Sequence, residues 1–324
     1  MIEQWSAVRK ESNYLNSVLS DLLKEQRADI EKFTKDKELQ KEYTQRVFPE
    51  LLESLRRDTT CGVFLVMAND QPIGAPGDFT GFFLRDSDPV TKADTNSDLL
   101  LERGDKTLAR QWGITLDNSW SPAFRFQGKG IRESDDFFYE PYTAGMAHTG
   151  VDMASLGYWS MPFILEDYEM DNHKMITYSV PLVNDGVIYG VVGTEVSVSY
   201  LCNTCFRVQD LNRQQTAGYA IAVDNGDGTY ENIAGKGNLY DAVQRENGIF
   251  KLESTKHEDL FKVKDSKIGS QEIYALFSKM NLYANNVPYK NTNWVLCGFV
   301  AEDSIFSLGD KLYSDILTTI VACA

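Results

Sequence analysis

Glu195 is the first residue whose placement calls for chemistry. It lies in Val187 to Val198, a stretch otherwise made of Val, Ile, Tyr, Gly, Thr and Ser. A carboxylate buried in such a strand costs several kcal/mol unless it is paired, so it reads as a group with a role. The plainer alternative is that it points to solvent. Aromatic side chains gather in two runs, Phe137-Phe138-Tyr139 behind Asp135-Asp136, and Tyr158-Trp159-Ser160-Met161-Pro162-Phe163. Neighbours on a strand face opposite ways, so only one of Tyr158 and Trp159 enters a given pocket. Trp159 is the one favoured here. Phe137 and Phe138 pose the same choice, and aromatics in a row more often build core than a binding box. Trp120 and Phe126 either line a lid or pin their own loop.

Other reactive residues lack their partners. Cys202-Asn203-Thr204-Cys205 has redox spacing, but it falls in a linking helix and not at a helix start after a strand. Asp224-Asn225-Gly226-Asp227-Gly228 mimics the opening of a calcium loop. Gly235 stands where the closing Glu belongs, so a hairpin turn explains it better. The three histidines and five cysteines show no zinc spacing, and an odd cysteine count does not fit a complete disulfide framework. His148 is a general-base candidate with no nucleophile or acid announced by spacing. Nucleophile-elbow, phosphoryl-transfer and dinucleotide motifs are absent. No metal or cofactor is therefore expected.

The totals narrow the partners. The 324 residues carry 32 basic and 47 acidic side chains, a net charge of −15. That surface repels phosphate backbones, which removes nucleic acid as a partner. Length implies about two domains, and 43% hydrophobic residues are enough for ordinary cores. No apolar run reaches the roughly 18 residues that span a bilayer. Residues 316–324 are apolar and stop abruptly, as if a longer hydrophobic segment were cut, and the chain reads as an excised fragment.

The elements follow from periodicity. Residues 2–57 read as helix, with Trp5, Val8, Leu15, Leu19 and Leu22 on one stripe and Ser12 in the missing place. A break is expected near Thr34 to Lys37, and Pro49 predicts a kink or restart in the second half. Paired strands are expected at residues 63–67 and 81–86, a loop over 86–98, and a helix over 105–112 closed by Gly113. Residues 114–135 read as an irregular aromatic loop. Residues 175–182 and 187–198 form a hairpin around Asn184-Asp185-Gly186. A helix over 199–215 leads to a second, smaller strand-rich unit. Residues from Ser304 onward read as an exit helix.

The segments "YWSMPF" and "MITYSVPLVNDGVIYGVVGTEVSVSYL", with "DDFFYEPYTAG" before them, resemble the distal half of bacterial double Cache sensor domains. The layout extends that resemblance over essentially the whole chain. It implies an α+β fold: a long N-terminal helix, two PAS-like αβ modules with antiparallel sheets, and an exit helix. It also implies an extracytoplasmic sensor held between membrane helices of a histidine kinase, diguanylate cyclase or chemoreceptor. Amino-acid-binding members carry an Arg two positions before a Trp-Tyr pair. Here the pair matches Phe138-Tyr139 and Asp136 stands at the Arg position. The family's acid that meets a ligand ammonium matches Glu195. Its Tyr-x-Asp matches Phe163 and Leu165, so that Asp is missing. Asp136 and Glu195 beside Phe138, Tyr139 and Trp159 suit a cation, since aromatic faces add cation–π attraction of about 1 kcal/mol.

The reading that results is a binding module and not an enzyme. A helical segment covers 1–58, a distal module with the pocket 59–205, a proximal module 206–310 and the exit helix 311–324. Trp120, Asp136, Phe138, Tyr139, Trp159, Phe163 and Glu195 form the expected site, for a small molecule, an amine first. A homodimer through the N-terminal helix is a further expectation. The rivals are a sensor that reads a solute-binding protein and a secreted hydrolase using His148.

Overall fold

The computed structural model describes residues 2–72, 74–91, 95–165, 174–205, 217–244, 248–283, 287–290 and 292–305. Its contacts divide the chain into two units. One is Met1–Val198 with Leu282–Tyr289; the other is Ser199–Asn281 with Lys290–Ala324. The exit helix expected over 311–324 lies outside the described residues, as do the apolar tail and the second half of the helix expected over 199–215.

The N-terminal stripe is buried as its spacing requires: Trp5, Val8, Leu15, Leu19 and Leu22 are all core. Ser12, in the place left in the stripe, is buried too, with its hydroxyl donating to the Arg9 carbonyl at 2.7 Å. The helix itself is segmented. Ile2–Trp5 (α1) is followed by a 3-10 turn at Ala7–Lys10, then Glu11–Gln26 (α2), Ile30–Lys35 (α3) and Lys37–Asp58 (α4). Arg27 in the left-handed region (φ 50°) ends α2, which the apolar periodicity had placed later. Asp29 and Asp36 cap the next two helices by accepting from backbone N–H groups. Pro49 sits inside an unbroken α4. Ion pairs Arg46–Glu25 at 2.7 Å and Arg57–Glu11 at 2.6 Å show that α2 and α4 run antiparallel as a hairpin.

The first unit continues with Gly62–Met67 (β1), Gly77–Phe79 (β2), Gly81–Asp86 (β3), Leu99–Arg103 (β4), Lys106–Trp112 (α5), Thr115–Ser121 (β5) and Phe124–Phe126 (β6). Asp136–Ala147 (α6), Tyr158–Trp159 (β7), Met175–Asn184 (β8) and Val187–Ser197 (β9) complete it. Residues 114–135 thus hold two strands where poor alternation implied a loop. The seven-stranded sheet runs β5-β4-β3-β1-β9-β8-β7. Its pairs are antiparallel except β4–β5, where α5 acts as a crossover and returns the chain in the same direction. The β8–β9 hairpin turns through Asp185 (φ 47°) and Gly186 (φ 79°), the left-handed pair its tight turn demands. One sheet face packs on α2 and α4, with Phe48 against Phe82; the other packs on α6, with Phe137 against Phe64.

The second unit opens with the helix Val198–Cys205 (α7). Then come Ala217–Asp224 (β10), Thr229–Lys236 (β11), Asn238–Val243 (α8), Ile249–Ser254 (β12), Phe261–Ile268 (β13), Gln271–Lys279 (β14) and Trp294–Ala301 (β15). The strands close into a six-stranded barrel through β10–β15. Its interior is apolar: Ala220, Tyr230, Leu239, Phe250, Val263, Ile273 and Phe299 are among the buried set. Gly218 lets α8 lie on β10, since a Cβ there would stand 2.5 Å from the Tyr240 nitrogen.

Candidate ligand site

Register places one polar row across the α6 face of the first sheet. Gly62 pairs with Arg85 on one side and with Glu195 on the other, and Glu195 pairs in turn with Thr177. Residues directly opposite share a face. Phe64 and Phe83, two pairs along, pack with α6 residues, and alternation puts Gly62 and Arg85 on that face with them. Glu195 is fully buried, and its Oε2 comes to 2.5 Å from where a Cβ on Gly62 would lie. A glycine is what lets this carboxylate lean across β1. Arg85 is held by Glu102 at 3.0 Å and Asp117 at 2.9 Å. At the other end Ser160 bonds Thr177, taking its N–H at 2.9 Å and meeting its hydroxyl at 3.1 Å.

The helix α6 covers the apolar part of this face. Ser179 donates its hydroxyl to the Phe137 carbonyl at 2.8 Å, and Tyr139 donates to the Ala75 carbonyl at 2.8 Å. Phe137 stacks on Phe163, with centroids 5.5 Å apart. Phe138 stacks between Phe126 and Tyr142, at 5.1 Å from each. Phe138, Tyr139 and Phe163 are all buried in one aromatic cluster with Phe64, Phe79, Phe83 and Phe124. The Pro-containing sequence of α6 gave no helical stripe, so this packing was hard to read beforehand.

Asp136 opens the first turn of α6 and is half-buried. Burial, and then the charges of Glu140, Glu133 and Asp135, push its carboxyl up to about 6, against a weaker pull from Lys129. Asp135 beside it is fully buried but spoken for. It accepts from Arg132 at 2.9 Å and from the Gln127 N–H at 2.8 Å. Asp136 is thus the acid in this group whose surroundings favour an added positive charge.

Two expected residues fall elsewhere. Trp159 pairs with Tyr178, and their rings are 4.9 Å apart. Tyr178 pairs with Thr194, whose hydroxyl donates to the Trp5 carbonyl at 2.6 Å on the N-terminal helix side. Trp159 therefore lies across the sheet from Glu195, and Tyr158 takes the α6 face, packed on Ala144 and Tyr289. Trp120 sits against α4 and α5, its N–H donating to the Gly104 carbonyl at 3.1 Å. Phe138, Tyr139 and Phe163 thus share one buried cluster on the α6 side of the sheet, Glu195 lies in a strand on that same side and Asp136 opens α6, while Trp120 and Trp159 fall off that face.

Sequence reasoning missed Arg85, Glu102 and Ser160. The signal available was two charges, Arg85 and Glu102, ending otherwise apolar strands. It also missed Tyr283 and Tyr289, which precede β15 in sequence but belong to the first unit. The Tyr283 hydroxyl takes the Trp159 N–H and donates to the Trp159 carbonyl, both at 3.1 Å, and Tyr289 donates to the Leu156 carbonyl at 2.6 Å.

His148 is exposed at the end of α6, and among the described residues its side chain has no hydrogen-bond or ion-pair partner. Cys202 is a free thiol, half-buried, with its Sγ 3.4 Å from the Gly235 carbonyl. Burial raises its pKa, the opposite of what a reactive thiolate needs. Among the described residues no group of His, Cys, Asp and Glu is placed to hold a metal ion, and no helix is long and apolar enough to cross a membrane.

No family model and no curated protein matches the chain. Solved structures do show a likeness. One is the ligand-binding domain of the Pseudomonas aeruginosa amino acid chemoreceptor PctB in complex with L-Arg, at 12% identity over 97% of this chain and 94% of that one, TM-score 0.40. Another is the sensory domain of the Campylobacter jejuni chemoreceptor Tlp3, at 12% identity over 93% and 94%, TM-score 0.37. A third is the ligand-binding domain of the Pseudomonas fluorescens chemoreceptor CtaA in complex with L-leucine, at 16% identity. It is matched over 47% of this chain and 56% of that one, TM-score 0.30.

Proposed function

We propose that the chain is the extracytoplasmic ligand-sensing domain of a bacterial transmembrane receptor, and that its first unit takes a cationic amine on the α6 face. The observation that carries this reading is the row Arg85–Gly62–Glu195–Thr177. It keeps a carboxylate fully buried beside an aromatic cluster, where a structural core would use apolar side chains. Asp136 adds a second acid at the mouth of α6, held in a cluster that a cation would relieve. Stacked aromatic faces supply cation–π attraction to an ammonium. The second unit would relay the change toward the membrane. That relay requires different affinity for two states of the domain.

The test is a thermal-shift screen of the chain against amines, amino acids, organic acids, sugars and nucleobases. A ligand at about one hundred times its dissociation constant adds roughly 2.7 kcal/mol of stability. Amines should raise the melting temperature, and Asp136→Asn and Glu195→Gln should each weaken that response. An amine shift that survives both substitutions defeats the assignment of the amine to Asp136 and Glu195 on the α6 face. Silence across the whole panel defeats the small-molecule sensor and leaves recognition of a solute-binding protein.

A further inference from the structure

A cleft of about 450 Å³ opens on the side of the first unit that carries α4, away from the α6 face. Its walls are the first turns of α4, the start of α5 and the end of β5, with Lys37, Lys41, Asp105, Lys106, Leu108 and Trp120 among the lining. That size is in the ordinary range for a small-molecule site.

The charges in it are not equivalent. Asp105 is satisfied internally, by Lys41 at 2.6 Å and by the Thr107 N–H at 2.8 Å. Burial alone would raise its carboxyl, yet these partners hold it below the ordinary carboxylate range. Lys37 and Lys106 are exposed and make no ion pair among the described residues. Glu38 also borders the cleft, so two unengaged ammonium groups face one carboxylate. This local basic excess stands on a chain of net charge −15. An excess of this kind attracts anions against the field of the rest of the surface.

Trp120 and Leu108 supply the apolar part of the cleft. Trp120 has given its only polar hydrogen to Gly104, so its ring is fixed and asks nothing more of a ligand than contact. Leu108 is buried beside it. We propose that this cleft is a second small-molecule site, taking an organic anion with a planar apolar body, an aryl carboxylate in kind. The carboxylate would lie between Lys37 and Lys106 and the ring on Trp120. The site is independent of the amine reading, because the sheet separates Trp120 from Glu195.

The experiment is calorimetric titration of the chain with benzoate and 2-naphthoate. It is paired with acetylation footprinting of Lys37 and Lys106, and 2-naphthylmethylamine serves as the probe of opposite charge. Saturable binding of the naphthoate is expected, with protection of both lysines and no binding of the amine in this cleft. The exposed pair Lys37→Glu with Lys106→Glu should weaken the naphthoate at least tenfold without altering the fold. Trp120→Phe should weaken it less, and Asp136→Asn and Glu195→Gln should leave it unchanged. An absence of saturable naphthoate binding overturns the proposal. So does binding that Glu195→Gln abolishes and the lysine pair does not, which would place the anion on the α6 face instead.

Discussion

In the first unit Glu102, Arg103, Asp135 and Glu195 are all buried, and the row through Gly62 carries charge across the middle of the sheet. In the second unit Ser266 is the sole buried polar side chain among the described residues. Both units are mainly antiparallel strand systems with a helix laid on them. One sheet stays open and carries α6 over a polar row; the other closes on itself and fills its interior with Val, Ile, Ala and Phe. Closure removes sheet edges, and here side chains fill the barrel interior, whereas an open sheet must be covered and can be covered incompletely. Under the proposed function, recognition would fall to the first unit and a structural or relaying part to the second.

The largest effect that could break this contrast is a charge placed in the barrel. Ala275→Asp puts an unpaired carboxylate at a fully buried position. It should cost at least about 3 kcal/mol in chemical denaturation. A cost under about 1 kcal/mol would mean that the barrel admits water, and the two units would then not differ in kind.

A middle-sized effect concerns the edge of the open sheet. Tyr283→Phe removes the hydroxyl that both takes the Trp159 N–H and donates to its carbonyl. Loss of about 1–3 kcal/mol is expected. Amide exchange at Trp159 should quicken more than at barrel amides such as Ala275. Unchanged exchange at Trp159 would show that β7 is held without this phenol.

The smallest effect has the opposite sign. The Asp136 carboxyl is raised to about 6 in the folded chain, so between its unfolded value and that point the folded state binds more protons. Stability should therefore fall as pH rises through this window, and the full penalty is present above it. Asp136→Asn should stabilise the chain at pH 7.5 by up to about 1 kcal/mol, a figure discounted for partial exposure, and do nothing at pH 3. Equal melting of both proteins at pH 7.5 would remove Asp136 from the site. A saturating amine should shrink the difference.

Much of the fold was legible from local signals. The β8–β9 hairpin follows from an Asp-Gly turn between apolar runs, and α5 follows from Asp105 at its start and Gly113 in the left-handed region at its end (φ 64°). The helix ends of the N-terminal hairpin were less so, because Arg27 adopts a left-handed conformation that its residue type does not announce. At the proposed site, Glu195 was legible as a candidate because an acid in an apolar strand violates a simple rule, and the structure buries it.

What the sequence by itself determined is therefore alternation and punctuation: where strands turn, where helices are capped, and that Tyr158 and Trp159 must part company. Which of the two meets α6 was decided only by tertiary structure. Period-two alternation defines two faces without saying which helix covers each. The same holds for Trp120, placed beside α4 by a strand that alternates poorly, and for Tyr283 and Tyr289. Those two reach β7 across more than a hundred residues of chain. Such pairings leave no local periodicity, since they are set by where the whole sheet puts its edge.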